Sequence, residues 1–237
     1  DVFFTYDAAG QRVRKVWVHS GIVEERIYLG GWEIYRRREG GSVVLERETL
    51  HVMDDARRIA MVETKTVDAS LPPFTPVPRV RYQLGNHLGS AALEVDGAGA
   101  VISYEEYHPY GTSAYRAVDG AVEVSAKRYR YTGMERDEES GLSYHTARYY
   151  AAWLGTWITC DAAGLADGSD LYAYVSGNPL RLVDSTGMEG EICLLTGEII
   201  PSKNVSPRLF QESALRNVRE PAAIADGLHP RQRRAGG

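Results

Sequence analysis

Cysteine is nearly absent: 237 residues include only Cys160 and Cys193. Two cysteines cannot build a disulfide framework, and their separation is not that of a zinc site. Long apolar runs are missing as well. No stretch approaches the ~20 residues that a membrane-spanning helix needs. The opening "DVFFTYDAAG" begins with an acid and turns polar at once, so it does not read as a secretory signal. Positive charge is in deficit, with 27 Lys and Arg against 32 Asp and Glu and a net charge of -5. That balance argues against a nucleic-acid binder. The acidic run "MERDEES" (Met134–Ser140) lacks the ligand spacing of a calcium loop. Nothing in the chain calls for a metal or a cofactor.

Tyrosine is abundant, at 15 residues against 4 Phe, and it sits in short β-type stretches closed by Gly turns. "FFTYDAAGQRVRKVWV" alternates with a period of two. "EERIYLGGWEIYRRREGGSVVLERETLHVM" reads as three strands joined at Gly30-Gly31 and Gly40-Gly41, because a double Gly between strands is a hairpin signal. "RRIAMVETKTV" is a further strand. "DASLPPFTPVP" (Asp68–Pro78) holds four of the 10 prolines and is a loop or spacer. Strand–turn units then recur as a loose repeat of roughly 15–20 residues. Ten to twelve strands are expected in all. Before Trp157 the one candidate helix is "YHTARYYAAWLG", which reads equally well as a turn plus a strand. "CLLTGEIIPS" fits a strand pair turning at Gly197. From Ser206 a stripe of Leu209, Phe210, Ala214, Leu215 and Val218 predicts a helix ended by Pro221. The basic end "HPRQRR" offers no core. The chain starts without Met inside a strand pattern, as expected of a piece of a longer polypeptide.

"YDAAGQRV" (Tyr6–Val13) resembles a YD repeat. "YQLGNHLGSAALEVDGAGAVISYEEYHPYG" (Tyr82–Gly111), "YRYTGMERDEESGLSYHTARYYAAWLGTW" (Tyr129–Trp157) and "DLYAYVSGNPLRLVDSTGM" (Asp170–Met188) resemble, in order, the RHS repeat-associated core. The likeness covers roughly residues 1–188. It implies an all-β fold: a Tyr-rich YD-repeat strand ribbon forming the C-terminal part of a hollow β-shell, with a short mixed or disordered tail. It divides the chain into a shell segment (1–156), a self-cleavage region (157–188) and a variable, toxin-like or remnant C-terminal segment (189–237). Shells of this family enclose a polymorphic toxin in bacterial Rhs effectors and in the C component of Tc toxins. Such proteins are secreted or displayed on the cell surface. The implied partners are the remainder of the shell, the C-terminal toxin segment and an immunity protein.

In several family members the core is also a single-turnover aspartyl self-protease. By that resemblance Asp161 of "DAAG" and Asp184 of "DSTG" are the catalytic acids and the cut falls between Met188 and Glu189; Arg148 of "ARYY" matches the family and reads as a structural or carboxylate-pairing residue, with support of the catalytic acids as the alternative. The chemistry is that of a dyad: two close carboxylates cannot both ionise cheaply, so one keeps a proton and the other acts as base. An Asp in an Asp-x-x-Gly turn also commonly caps its own backbone, and that reading stands beside the catalytic one. The sequence departs from the family where Ala162 and Ser185 replace the usual prolines, Thr156 replaces a basic residue and Gly177 replaces Asn. Losing the prolines loosens φ at both turns. The alternative function is a non-cleaving cell-surface YD-repeat module that binds glycans or partner proteins through its tyrosines. His87 in "GNHLG" reads as a structural turn residue, and "YRRREGG" as a solvated face. The 49 residues from Glu189 to Gly237 carry no nuclease or transferase constellation, and His229 with Cys193 does not make one.

Overall fold

In the computed structural model, residues 1–55, 57–71, 73–120, 124–162, 164 and 169–188 are described, with the backbones of two short strands beyond them. Ten strands run in chain order as one antiparallel meander. They are β1 (Val2–Tyr6), β2 (Arg12–His19), β3 (Ile22–Leu29), β4 (Trp32–Glu39), β5 (Ser42–Asp54), β6 (Arg57–Asp68), β7 (Arg79–Gly85), β8 (Ala91–Asp96), β9 (Val101–Tyr107) and β10 (Ser113–Val118). The hairpins turn at Gly30-Gly31 and Gly40-Gly41, where the double-Gly signal put them. The register is set on either side, with Leu29 opposite Trp32 and Glu39 opposite Ser42. The Pro-rich segment 68–78 links β6 to β7 and lies mostly in the open.

Four short strands form a second antiparallel sheet: β11 (Glu135–Arg136), β12 (Ser143–His145), β13 (Arg148–Ala151) and β14 (Thr156–Trp157). "YHTARYY" is therefore a turn between two strands. A third sheet joins β15 (Leu182–Val183), β16 (Glu191–Cys193) and β17 (Ile199–Pro201). The strand pair expected around "CLLTGEIIPS" is present, with Cys193 opposite Ile199. The total of 17 strands among the described residues exceeds the expected ten to twelve. The excess comes from two- to four-residue strands too short to show a period in the sequence. The helix expected at Leu209–Val218, the basic end and Glu189 lie outside the described residues.

The apolar core does not lie under the ten-stranded sheet. It gathers in the later part of the chain, where Tyr131, Tyr150, Trp157, Tyr174 and Val183 pack with Leu88, Ala152 and Val175. The rings of Tyr150 and Tyr174 stand 4.2 Å apart, and Trp157 meets Tyr150 edge-on at 5.5 Å. Two of the phenol oxygens reach backbone: Tyr131 donates to the Pro109 carbonyl and Tyr150 to that of Tyr110. Burying each of these aromatic side chains contributes roughly 1.5–3 kcal/mol. Tyr is suited to this small core because its polar tip needs a partner that a nearby turn can supply.

One face of the large sheet is instead lined with buried charge. Glu33, Glu63, Glu94 and Glu105 are all sequestered there. What covers them is the chain after β10. Residues 124–139 run back across the sheet as a strap. Ser125 binds Glu63, Lys127 pairs with Glu105, Arg128 and Tyr129 bind Glu33, and Arg130 pairs with Glu105. The far end reaches β2, where Asp137 meets Arg12 at 2.6 Å and Lys15 at 2.7 Å, and Glu135 meets Arg12 at 2.7 Å. Burial alone would raise the Glu135 carboxyl, but Arg128 and Arg12 outweigh it and hold it down at about 2. Burial likewise works against ionised Glu105, yet its hydrogen bonds to Arg130 and Ser113 keep it at about 2. Paired in this way, the buried charges avoid the several kcal/mol that each would cost alone.

Candidate active site

Asp-x-x-Gly and Asn-x-x-Gly turns recur along the chain, and two of the aspartate ones behave as plain turns. Asp7 Oδ1 accepts from Ala9 and Gln11 N–H at 2.9 and 2.8 Å, and Gly10 adopts φ +78°. Asp96 repeats this with Ala98 and Ala100 at 2.9 and 2.8 Å. Both aspartates serve their own backbone at the surface.

Asp184 is arranged differently. It follows β15 directly, is only 2% exposed, and its two oxygens are divided between two tasks. Oδ1 caps the turn, accepting from Gly187 N–H at 2.8 Å and Met188 N–H at 3.2 Å. Oδ2 faces the Arg148 guanidinium at 3.4 Å. The same Arg148 nitrogen, Nη2, lies 2.9 Å from Asp161 Oδ2. Arg148 thus stands between the two acids and brings them to one point from sequence positions 23 residues apart. Its Nε donates to the Gly187 carbonyl at 2.5 Å, and its guanidinium lies over the Trp157 ring at 4.3 Å. The turn carrying Asp161 closes without its usual proline, by Gly164 N–H to the Asp161 carbonyl at 3.1 Å and Asp161 N–H to that of Leu171 at 2.9 Å. A cavity of about 260 Å³ opens beside the group, lined by Arg148, Trp157, Asp161, Asp170 and Asp184.

Burial pushes the Asp184 carboxyl up from its usual value, against the opposing pull of the Gly187 N–H and Arg148. A neutral carboxylic acid can donate a hydrogen bond, which a carboxylate cannot. Met188 follows at once and is 41% exposed. Asp161, Asp184, Arg148 and Met188 are therefore brought together, while Glu189 lies outside the described residues. No group of three or more His, Cys, Asp or Glu side chains suited to a metal occurs among the described residues.

Over 191 residues the chain is 41% identical to the toxin subunit YenC2 of Yersinia entomophaga, covering 78% of this chain and 19% of that protein. It is 28% identical over 205 residues to the toxin protein Tse5 of Pseudomonas aeruginosa, covering 78% of this chain and 15% of that one. Among solved structures, TcdB2-TccC3 without its hypervariable C-terminal region superposes with a TM-score of 0.71 at 32% identity, over 79% of this chain and 9% of that chain. The chain belongs to the Rhs/YD-repeat toxin family. No protein-family model matches it. It spans about a fifth of the length of the Yersinia toxin subunits, so it corresponds to one part of such a protein.

Within this Rhs core, other residues singled out in the sequence are structural. His87 Nε2 bonds the Leu180 carbonyl at 3.0 Å and ties the β7–β8 turn to the loop before β15. Arg36 and Arg38 of "YRRREGG" make cross-strand ion pairs with Glu46 and Glu25. Cys160 is exposed and unpaired. The acids of "MERDEES" proved to be the anchor of the strap. His145, which is fully buried beside Asp184, carries no signal in the sequence, where it is a lone His between Tyr144 and Thr146.

Proposed function

We propose that this chain is the C-terminal core of a bacterial Rhs-type toxin shell, which encloses the segment after Met188 and cuts its own backbone between Met188 and Glu189. The observation that carries the reading is that one guanidinium nitrogen of Arg148 holds both Asp161 and Asp184 beside the Met188 backbone. In this mechanism Asp161, partly open to the adjoining cavity, takes a proton from water. The hydroxide adds to the Met188 carbonyl carbon while Asp184 donates its proton to the carbonyl oxygen. Collapse of the tetrahedral carbon breaks the C–N bond: a hydroxyl proton returns to Asp184, and the departing nitrogen takes the proton that Asp161 removed from water. The products are a Met188 carboxylate and a Glu189 amine. The folded turn supplies the substrate at fixed geometry, so no binding affinity is needed and one turnover suffices. The partners of such a core are the rest of the shell, the released C-terminal segment and an immunity protein, and the parent protein is secreted or displayed at the cell surface.

A second reading, a non-cleaving module that binds glycans, is favoured by exposed rings on the open face of the sheet. Tyr104 and Tyr115 lie side by side at 6.2 Å across β9 and β10. Intact mass under denaturing conditions decides between the two. The wild-type chain is expected as two fragments split after Met188, with Asp161→Asn and Asp184→Asn whole. A wild-type chain that stays whole on long incubation, and that binds glycan, overturns the self-cleavage reading.

A further inference from the structure

The turn from His145 to Arg148, between β12 and β13, cradles the loop from Asp184 to Met188 at every step. Ala147 N–H donates to the Thr186 carbonyl at 3.1 Å, and Arg148 Nε holds the Gly187 carbonyl. A methyl group on Gly187 would sit 2.7 Å from the His145 carbonyl oxygen, so the two backbones touch. The first contact of the series is made by a side chain. His145 Nδ1 lies 2.6 Å from the Asp184 backbone carbonyl. A carbonyl can only accept, so Nδ1 carries the proton and the neutral ring keeps its lone pair on Nε2. That Nε2 has no hydrogen-bond partner among the described residues. An aromatic wall surrounds the imidazole, with the ring centroids of Trp157, Tyr150 and Tyr174 at 5.1, 5.8 and 6.2 Å, all edge-on. Burial, with Arg148 adding to it, lowers the ring to about 4 despite the opposing pull of the Asp184 carbonyl. The imidazole is therefore neutral near pH 7, and among the described residues its side-chain hydrogen bond goes to the Asp184 carbonyl.

We infer that His145 is a positioning residue for the self-cleavage site: its Nδ1–H fixes the Asp184 backbone, and so the direction in which the carboxyl points toward Arg148 and the scissile peptide. The inference rests on the self-cleavage reading and adds a fourth side chain to Asp161, Asp184 and Arg148. It has a specific chemical signature. The Asn side-chain nitrogen can stand where Nδ1 stands, whereas the Gln nitrogen reaches to where Nε2 stands, against the aromatic wall. Leu fills the space and donates nothing.

The test measures the cleavage rate of the full chain by intact mass for wild type, His145→Asn, His145→Gln and His145→Leu, beside their melting temperatures. His145→Asn is expected to cut within about threefold of wild type, while His145→Gln and His145→Leu lose about 100-fold, the scale of a misplacement of an ångström. Nitrogen-15 NMR of the uncut Asp161→Asn chain is expected to show His145 protonated at Nδ1 and bare at Nε2. Equal rates in all four chains overturn the inference and leave self-cleavage standing, as does a His145 protonated at Nε2. Asn and Gln variants equally slow, with equal loss of melting temperature, also overturn it, because general packing then explains the effect. A wild-type chain that never cuts overturns the self-cleavage reading and this inference with it.

Discussion

At the residue scale, one aspartate motif serves two purposes according to its surroundings. Asp7 and Asp184 both sit three residues before a positive-φ glycine. Asp7 spends its carboxylate on its own turn in water, whereas Asp184 is buried and keeps an oxygen for Arg148. Gly187 makes the difference spatially possible, since its φ of +73° and its contact with the His145 carbonyl leave no room for a Cβ. Gly187→Ala is expected to cost ~1–3 kcal/mol and to abolish the cut, read by urea midpoint and intact mass. Gly10→Ala, with φ +78° and open space around it, is expected to cost only the ~1–2 kcal/mol of the backbone conformation and to leave the cut intact. Asp184→Asn keeps an oxygen for the turn and, like the neutral acid that burial favours, carries no charge. Its melting temperature is expected to match or exceed wild type, so loss of cutting in that variant reports chemistry. The grouping of Asp161, Asp184, Arg148 and Met188 was legible in the sequence only through resemblance. Chemistry alone left Asp184 as a turn capper, which it also is. His145 was not legible, because its role depends on a backbone carbonyl 39 residues away.

At the element scale, hairpins and strap differ in how far the sequence reveals them. A hairpin is local: Gly30-Gly31 and Gly40-Gly41 announce the turns, and the strands between them need only alternate. The strap is a long-range pairing of charge with charge. Nothing near Arg12 says that its partners are Glu135 and Asp137, and an acidic run looks like a solvated surface until the opposing cations are placed. The contrast predicts unequal costs. Asp137→Ala strips Arg12 and Lys15 of a fully buried partner and is expected to lose ~3–5 kcal/mol in urea unfolding. Arg37→Ala removes an ion pair to Glu39 in which both side chains are more than a third exposed, and is expected to change stability by no more than about 1 kcal/mol.

At the scale of the whole molecule, the carboxylates buried between sheet and strap make the fold acid-sensitive. Glu105 and Glu135 are both held at about 2 against a usual 4.5, and Glu33 is held well below its usual value. The unfolded chain therefore takes up protons first as the pH falls. The stability these groups contribute is complete above about pH 4.5 and is lost toward pH 2. Melting temperature measured across that window is expected to fall steeply in wild type. The strap also sets a schedule for making the protein. Arg12 and Asp137 are 125 residues apart in the chain. A ribosome adding ~5–20 residues per second needs roughly 6–25 s to bring the second out after the first. Through that interval the earliest hairpins exist with their cations waiting in water and their glutamate-lined face uncovered. The first part of the sheet is thus finished only by a segment made more than 100 residues later, and a nascent chain halted before Glu135 lacks the acids that pair with Arg12 and Lys15.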